Sequence, residues 1–257
     1  MTVVGRVESL WRYPVKSMRG EEVEQAFAGF AGIYGDRLFA FHNPARPQVF
    51  PWHTARQQRE MLRYTPRFRN PEKARQPLNV AEAAGLGATT LYAEMDDLMV
   101  DVETPSGEVL AIDDERLAHL LGNGNSLSLA RSHRAMTDCH PISLISLQTA
   151  RQLGDELGTC VDPCRFRANV YVDLQSDTGF EEDRWVGRSL RIGAKVVVSV
   201  IKRDTRCAMI SLDPETGVSN PAFLRQVAHG HEGTAGVYGA MVAEGLLRKG
   251  DTVELLD

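Results

Sequence analysis

The stretch Lys195-Val-Val-Val-Ser-Val-Ile-Lys-Arg-Asp-Thr-Arg-Cys-Ala-Met-Ile-Ser-Leu-Asp-Pro-Glu-Thr-Gly217 sets the terms for the whole chain. Its start, Lys195–Ile201, is rich in β-branched residues, which are stiff at χ1 and pack well on a pleated surface. The composition predicts a strand there, buried on both faces. That strand runs out into a loop that delivers Cys207 beside Arg203 and Arg206. Asp213-Pro-Glu-Thr-Gly217 then reads as a turn. Outward from this stretch, short alternating segments recur: Val3–Tyr13 (stopped by Pro14), Asp36–His42, Leu98–Glu103, Arg167–Leu174, Leu190–Ile192, Val237–Ala243 and Thr252–Leu256. Helices are fewer. One spans Asp114–Leu121, capped by Asp113 or Asp114 and stopped at Gly122; a second lies between Ser146 and Gly158; a third is Asn220–His229, with Pro221 in its first turn. Many short strands with few helices predict a mainly β or α+β fold with a β-barrel. A doubly wound parallel sheet is excluded, because the βαβ alternation and any Gly-x-Gly-x-x-Gly turn are missing.

At 257 residues, the chain is one large domain or two small ones. With 43% hydrophobic and 25% charged residues it has the material for a core and is not a disordered chain. A net charge of −5 gives no reason to expect a nucleic-acid partner. No apolar run approaches the ~18 residues of a membrane span, and the start Met-Thr-Val-Val-Gly5 lacks a signal-peptide core, so a cytoplasmic protein is expected. The loop Gly122-Asn-Gly-Asn-Ser126 marks the region where an N-terminal half gives way to a C-terminal one. The four cysteines, Cys139, Cys160, Cys164 and Cys207, are too sparse for a disulfide scaffold. Cys160-x-x-x-Cys164 has no second pair to complete a zinc set, so any important cysteine acts singly.

The basic residues are lopsided, with 24 Arg against 5 Lys. Arg is the better fork for phosphate and carboxylate, which directs attention to an anion site. Seven Arg and one Lys fall within residues 46–75, where Pro66, Pro71 and Pro77 favour a solvated surface excursion over an anion rim. Cys207 has two readings: a thiolate favoured by neighbouring guanidinium groups, or an inert buried cysteine. Arg165, Arg167 and Asn169 alternate at the start of an expected strand, either lining a polar ligand or facing solvent. Lys16 and Ser17 follow Pro14 at a corner suited to a phosphate, although an exposed lysine is the ordinary case. The histidines show no metal-triad spacing, and no Gly-x-Ser-x-Gly elbow is present.

These modest motifs occur together and in order. Tyr13-Pro-Val-Lys-Ser17 with Gly35-Asp-Arg37 resembles the N-terminal β-barrel domain that precedes a MOSC domain. Arg165-Phe-Arg-Ala-Asn169, Trp185-Val-Gly-Arg-Ser-Leu-Arg-Ile-Gly193, Thr205-Arg-Cys207, Asp213-Pro-Glu-Thr-Gly217 and Gly245-Leu-Leu-Arg-Lys-Gly-Asp251 resemble the MOSC domain itself. The resemblance covers essentially the whole chain. It implies a smaller β-rich domain over 1–115, a MOSC β-barrel domain over 116–257, and a molybdenum cofactor (Mo-molybdopterin) between them. By the same match Cys207 is the protein ligand to molybdenum and the catalytic position. Lys16, Ser17, Arg37, Arg167 and Asn169 bind the pterin or its phosphate, and Thr205 and Arg206 position the metal loop. Pyridoxal phosphate attaches to this family at the level of the family alone.

The resemblance also implies an activity, that of the amidoxime-reducing MOSC proteins: two-electron reduction of small N-hydroxylated compounds. Without a four-cysteine cluster signature, the chain is expected to draw electrons from a separate flavin or iron–sulfur reductase. The loop Asp138-Cys-His-Pro141 departs from relatives with small residues there, and puts His140 among the cofactor-contacting candidates. Two rival readings are a cofactor carrier or persulfide-type sulfur-transfer protein without turnover of its own, and a silent relative that binds some other anion.

Overall fold

The computed structural model describes residues 1–86 and 94–256. They fall into two compact units that interleave along the chain. One is built from Met1–Trp11, Glu21–Ile33 and Asp138–Asp257; the other is built from Arg12–Gly20 and Tyr34–Thr137. These compact units cut the chain differently from the sequence domains expected over 1–115 and 116–257. The chain leaves the first unit after Trp11 and again after Ile33, so no single cut, in the Gly122–Ser126 loop or elsewhere, separates the two.

The first unit contains the expected barrel. Seven strands close in the order Val170–Leu174, Ile142–Ser146, Thr234–Ala243, Val196–Thr205, Ser189–Ile192, Thr252–Leu256 and Thr2–Arg12, with Thr2–Arg12 pairing back onto Val170–Leu174. Ile142–Ser146 and Val170–Leu174 run parallel. Parallel neighbours require a long crossover, and helix Leu147–Leu157 lies in it. Its ends are those the sequence predicts: Ser146 caps it by accepting from the Thr149 amide, and Gly158 ends it in the left-handed conformation. Its first turn is completed by Glu182, whose carboxylate accepts from the Ser146 amide (3.1 Å), the Ser146 hydroxyl (2.8 Å) and the Thr149 hydroxyl (2.7 Å). Glu182 is fully buried, and burial pushes its carboxyl above the ordinary range.

Val7, Leu10, Leu144, Val172, Leu190, Val198, Val237 and Val253 belong to one buried cluster. A second cluster gathers Ile145, Leu153, Tyr171, Ile210, Phe223 and Val227 with helices Leu147–Leu157 and Ala222–Gly230. Burial on both faces belongs to Ile142–Ser146, whose five residues are all buried: Ile142 and Leu144 join the first cluster and Ile145 the second. It does not belong to Lys195–Ile201. There Val196, Val198 and Val200 are buried while Val197 and Ser199 are only half-buried, so strand Val196–Thr205 alternates and runs further than its β-branched core.

The second unit holds two three-stranded sheets, Ser128–Arg131 with Phe39–His42 and Trp52–His53, and Thr65–Phe68 with Val100–Glu103 and Val109–Ala111. Helix Glu115–Gly122 is capped by Asp114, as expected. The strand expected from Asp36 begins only at Phe39, because Arg37 turns the backbone through a left-handed φ of 48°. The Arg-rich excursion is solvated: Arg63 pairs with Glu60, Arg67 with Glu103, Arg69 with Asp101 and Lys73 with Asp97, all at exposed or half-exposed positions. Among the described residues, no helix is long and apolar enough to cross a membrane.

Candidate functional site

Strand Val196–Thr205 ends where Thr205 pairs with Thr234, and the backbone of Cys207 then opens a 3-10 turn over Ala208–Ser211. The carbonyl of Cys207 accepts from the Ile210 amide at 3.2 Å, and Ile210 is buried in the core. Cys207 is thereby held at its main chain on the rim of a barrel strand, half-buried and free of any disulfide. Burial, and then Asp162, push the Cys164 thiol up to about 12, which keeps it protonated and a poor ligand.

Arg206 is the hub of this loop. Its side chain is only 6% exposed and its partner Asp204 only 3%, with 2.9 Å between them. The guanidinium donates to the carbonyl of Ala235 (2.7 Å) and to that of Phe166 (2.9 Å), and lies over the Phe166 ring. Gly236 makes room for it: with φ of 76°, a Cβ there would stand 3.1 Å from the remaining guanidinium nitrogen. That nitrogen is buried and has no hydrogen-bond partner among the described residues. The positive charge expected around Cys207 is largely cancelled, since Arg206 has Asp204, and Arg203 has Asp183 and Glu232.

The Phe166 carbonyl leads into Arg167, and here the sequence reading needs correcting. Residues Pro163–Phe166 form a 3-10 turn, and the strand starts at Val170, so Arg165, Arg167 and Asn169 do not share a strand face. Arg167 caps the turn in the left-handed conformation, with φ of 51°. A non-glycine residue there is strained, and such strain gathers at functional sites. Asn169 serves as a brace. Its carboxamide oxygen accepts from the amide and hydroxyl of Ser143 (3.2 and 3.3 Å), and its nitrogen donates to the Trp11 carbonyl (3.3 Å). Both ends of a side chain that is 1% exposed are committed inside the unit.

Arg165, which the sequence reading left open, is nine-tenths buried and donates to Asp213 at 2.8 Å. It stacks on the Phe223 ring, while two of its nitrogens have no partner among the described residues. Asp213 is set by the turn it opens: its other oxygen accepts from the amides of Glu215 and Thr216 and from the Thr216 hydroxyl. Burial pushes its carboxyl up, but these hydrogen bonds and Arg165 outweigh that and hold it below the ordinary range. Thr205 is exposed and contributes through its backbone. His140 lies 6.0 Å from the Tyr238 ring; Tyr238 pairs across the sheet with Lys202 rather than with the end of the strand that bears Cys207.

In the second unit the remaining candidates form their own group. Lys16 is buried and donates from Nζ to the Met136 carbonyl at 2.8 Å. Ser17 is buried with φ of 66°. Arg37 pairs with fully buried Asp36 at 2.5 Å and lies 4.6 Å over the Tyr13 ring; Asp36 in turn accepts from the Tyr13 amide. Ser17, Arg37 and Arg167 are three of the six non-glycine residues with positive φ among those described.

Two family profiles match the chain. One described as a MOSC N-terminal beta barrel domain covers residues 4–120, and one described as a MOSC domain covers residues 131–254. The chain is a MOSC-domain protein. Its two profiles do not coincide with its two compact units: the first takes in barrel strand Thr2–Arg12, and the second begins in strand Ser128–Arg131 of the other unit. The family is associated with binding of the molybdenum cofactor. The mouse (Mus musculus) protein "Mitochondrial amidoxime-reducing component 1" is 26% identical to this MOSC protein over 296 residues, covering 98% of this chain and 83% of that one. Among solved structures, YUAD protein from Bacillus subtilis aligns with a TM-score of 0.49 at 12% identity, over 99% of this chain and 97% of that one. YiiM from Geobacillus stearothermophilus aligns with a TM-score of 0.35 at 17% identity, over 46% of this chain and 55% of that one.

Proposed function

We propose that this MOSC protein is a cytoplasmic molybdenum-cofactor-dependent oxidoreductase that reduces N-hydroxylated compounds: hydroxylamines, amidoximes and N-hydroxylated bases. One observation carries the reading. The loop that carries half-buried Cys207 is tied to the strained Arg167 turn by Arg206, the residue before the cysteine, which donates to the Phe166 carbonyl. The donor set fits the group. A thiolate is a soft ligand suited to a metal with sulfur donors. Among the described residues no three His, Cys, Asp or Glu side chains stand together to hold an ion, so Cys207 would be a single protein ligand to a metal arriving with its own donors. Arg167 would serve the phosphate or pterin of that group, for which a fixed cation is the natural partner. Asn169 and Arg206 would hold the supporting backbone.

When bound, the cofactor supplies two-electron redox chemistry: an N–OH group takes up two electrons and two protons and leaves as N–H and water. The electrons would come from a separate flavin or iron–sulfur protein. The protein's own contribution is to hold the cofactor, keep its orientation and present the cysteine.

The test is molybdenum per chain by inductively coupled plasma mass spectrometry, on protein from a cofactor-competent, molybdate-fed host, together with reduction of benzamidoxime by a reduced viologen. Near-stoichiometric metal and turnover in the wild type, both lost in Cys207→Ala, are expected. Folded wild type without molybdenum would overturn the reading. Metal without turnover would leave the carrier reading in its place.

A further inference from the structure

Two arginines tie the Cys207 loop to the 163–169 segment, and they do so from opposite sides. Arg206, one residue before Cys207, reaches across to the Phe166 carbonyl. Arg165 reaches the other way, to Asp213, which lies just beyond the 3-10 turn that Cys207 opens. Each tether has its own anchor. Arg206 is neutralised by buried Asp204 and seated against Gly236. Arg165 is stacked 4.4 Å over Phe223, and its carboxylate partner is fixed by the Asp213–Gly217 turn, closed by a hydrogen bond from the Gly217 amide to the Asp213 carbonyl at 2.9 Å. Between the anchors, the Ser211 carbonyl accepts from the Asn220 amide and Leu212 bridges Ser219, so the far side of the turn is pinned to the lead-in of helix Ala222–Gly230.

We propose that Arg165 is a positioning residue for Cys207, closing with Arg206 a reciprocal clamp that fixes the thiol against the Arg167 turn; this rests on the reading of Cys207 as the metal ligand. The turn's own hydrogen bonds and buried Ile210 hold its far side; the two tethers cross in opposite directions on either side of Cys207 and restrict the cysteine itself, so a ligand atom is preorganised before any metal arrives. Planar Arg suits the post because it stacks and forks at once, which lysine does not.

The test is made on the full chain purified without cofactor. Labelling of Cys207 by iodoacetamide is followed across pH by peptide mass spectrometry, with exposed Cys139 as the reference in the same molecule. Arg165→Ala and Asp213→Asn should each change the Cys207/Cys139 rate ratio by about three- to tenfold, the scale of one lost hydrogen-bonded tether on local opening. Arg165→Lys should bring the ratio part of the way back. The double variant Arg165→Ala/Asp213→Asn should match Arg165→Ala alone, since the two residues act as one tether. Thermal midpoints identify a variant that does not fold, and Asp213→Asn, which keeps shape, then serves in place of Arg165→Ala. An unchanged ratio in the folded variants, or additive effects in the double variant, would overturn the clamp. Because the readout needs no metal, it separates from the function itself. Wild type that retains no molybdenum would sink the reductase reading and with it the ligand role of Cys207, leaving the two tethers as a structural tie, whereas retained molybdenum with an unchanged ratio would sink the clamp alone.

Discussion

Two parts of this chain look equally rich in arginine on paper and do opposite things. In residues 46–75 the guanidinium groups lie at the surface: Arg67 is 73% exposed and 3.8 Å from Glu103, and Arg63 and Arg69 meet their carboxylates in the open. Such pairs contribute little, because water and salt screen them and long side chains must be ordered to form them. Around Cys207, Arg165 and Arg206 are nine-tenths buried or more; Arg206 holds two carbonyls and Arg165 a carboxylate that belong to other segments. Here the charge is a structural cross-link. An excess of arginine therefore says little about an anion site until burial, and what each group ties together, are known.

The sharpest way to break that contrast is Arg206→Ala. It leaves Asp204 buried without its cation and frees the Ala235 and Phe166 carbonyls. Removing one partner of a buried ion pair typically costs about 3–5 kcal/mol. Urea unfolding should show a loss of that order, and a loss below about 1 kcal/mol would place Arg206 with the surface arginines.

That burial was only partly legible. Helix Leu147–Leu157 reads off Ser146, Gly158 and a 3.6-residue apolar spacing, because its caps and its stripe are local signals. Cys207 and its motif were legible too. The Arg167 strand was not: Val170–Leu174 alternates and the alternation continues backward in the sequence through Arg165, although the chain there forms a 3-10 turn ended by a left-handed arginine. Pro163 was the one local hint of a break. The turn that Arg167 ends is held locally by its amide on the Cys164 carbonyl and, 40 positions away, by Arg206 on the Phe166 carbonyl, and only the first tie is within reach of a local pattern. Asn169 stands out in the sequence, but nothing in its neighbours says that Ser143 and Trp11 meet its amide. The interleaving of the units was equally hidden, because it is set by which strands pair and not by any linker composition.

A second contrast lies within the barrel unit. Asp204 is buried with a cation, while Glu182 is buried among neutral donors only. Burial raises the Glu182 carboxyl from its ordinary value of 4.5. A carboxyl whose folded pKa lies above its unfolded one stabilises fully below the unfolded value, and that contribution is lost as pH rises through the folded value. Stability of the wild type should therefore fall as pH is raised above 4.5 toward neutrality, through this group. Glu182→Gln, which mimics the protonated form and still accepts from Ser146 and Thr149, should flatten that slope. Denaturant midpoints taken across the range decide it; an unchanged slope in the variant would mean Glu182 stays ionised on its three donors.

The smallest expected effect is the one that keeps the first contrast meaningful. Arg69 pairs with Asp101 at the surface, each side chain 39% exposed. The hydrogen bond to Asp101 favours its charge, burial opposes it, and the charges of Asp101 and Asp113 add to the first, so its pKa is raised. Arg69→Ala should cost about 0.5 kcal/mol at low salt, in line with exposed pairs. Raising the ionic strength from ~0.1 to ~1 M shortens the screening length from about 10 to about 3 Å, and the cost should shrink toward zero. The cost of Arg206→Ala should persist under the same change, because salt does not enter a site that is 6% exposed. Equal salt dependence in the two variants would mean that the Cys207 loop opens to solvent, and the distinction between surface charge and buried cross-link would then fail at the site where it matters.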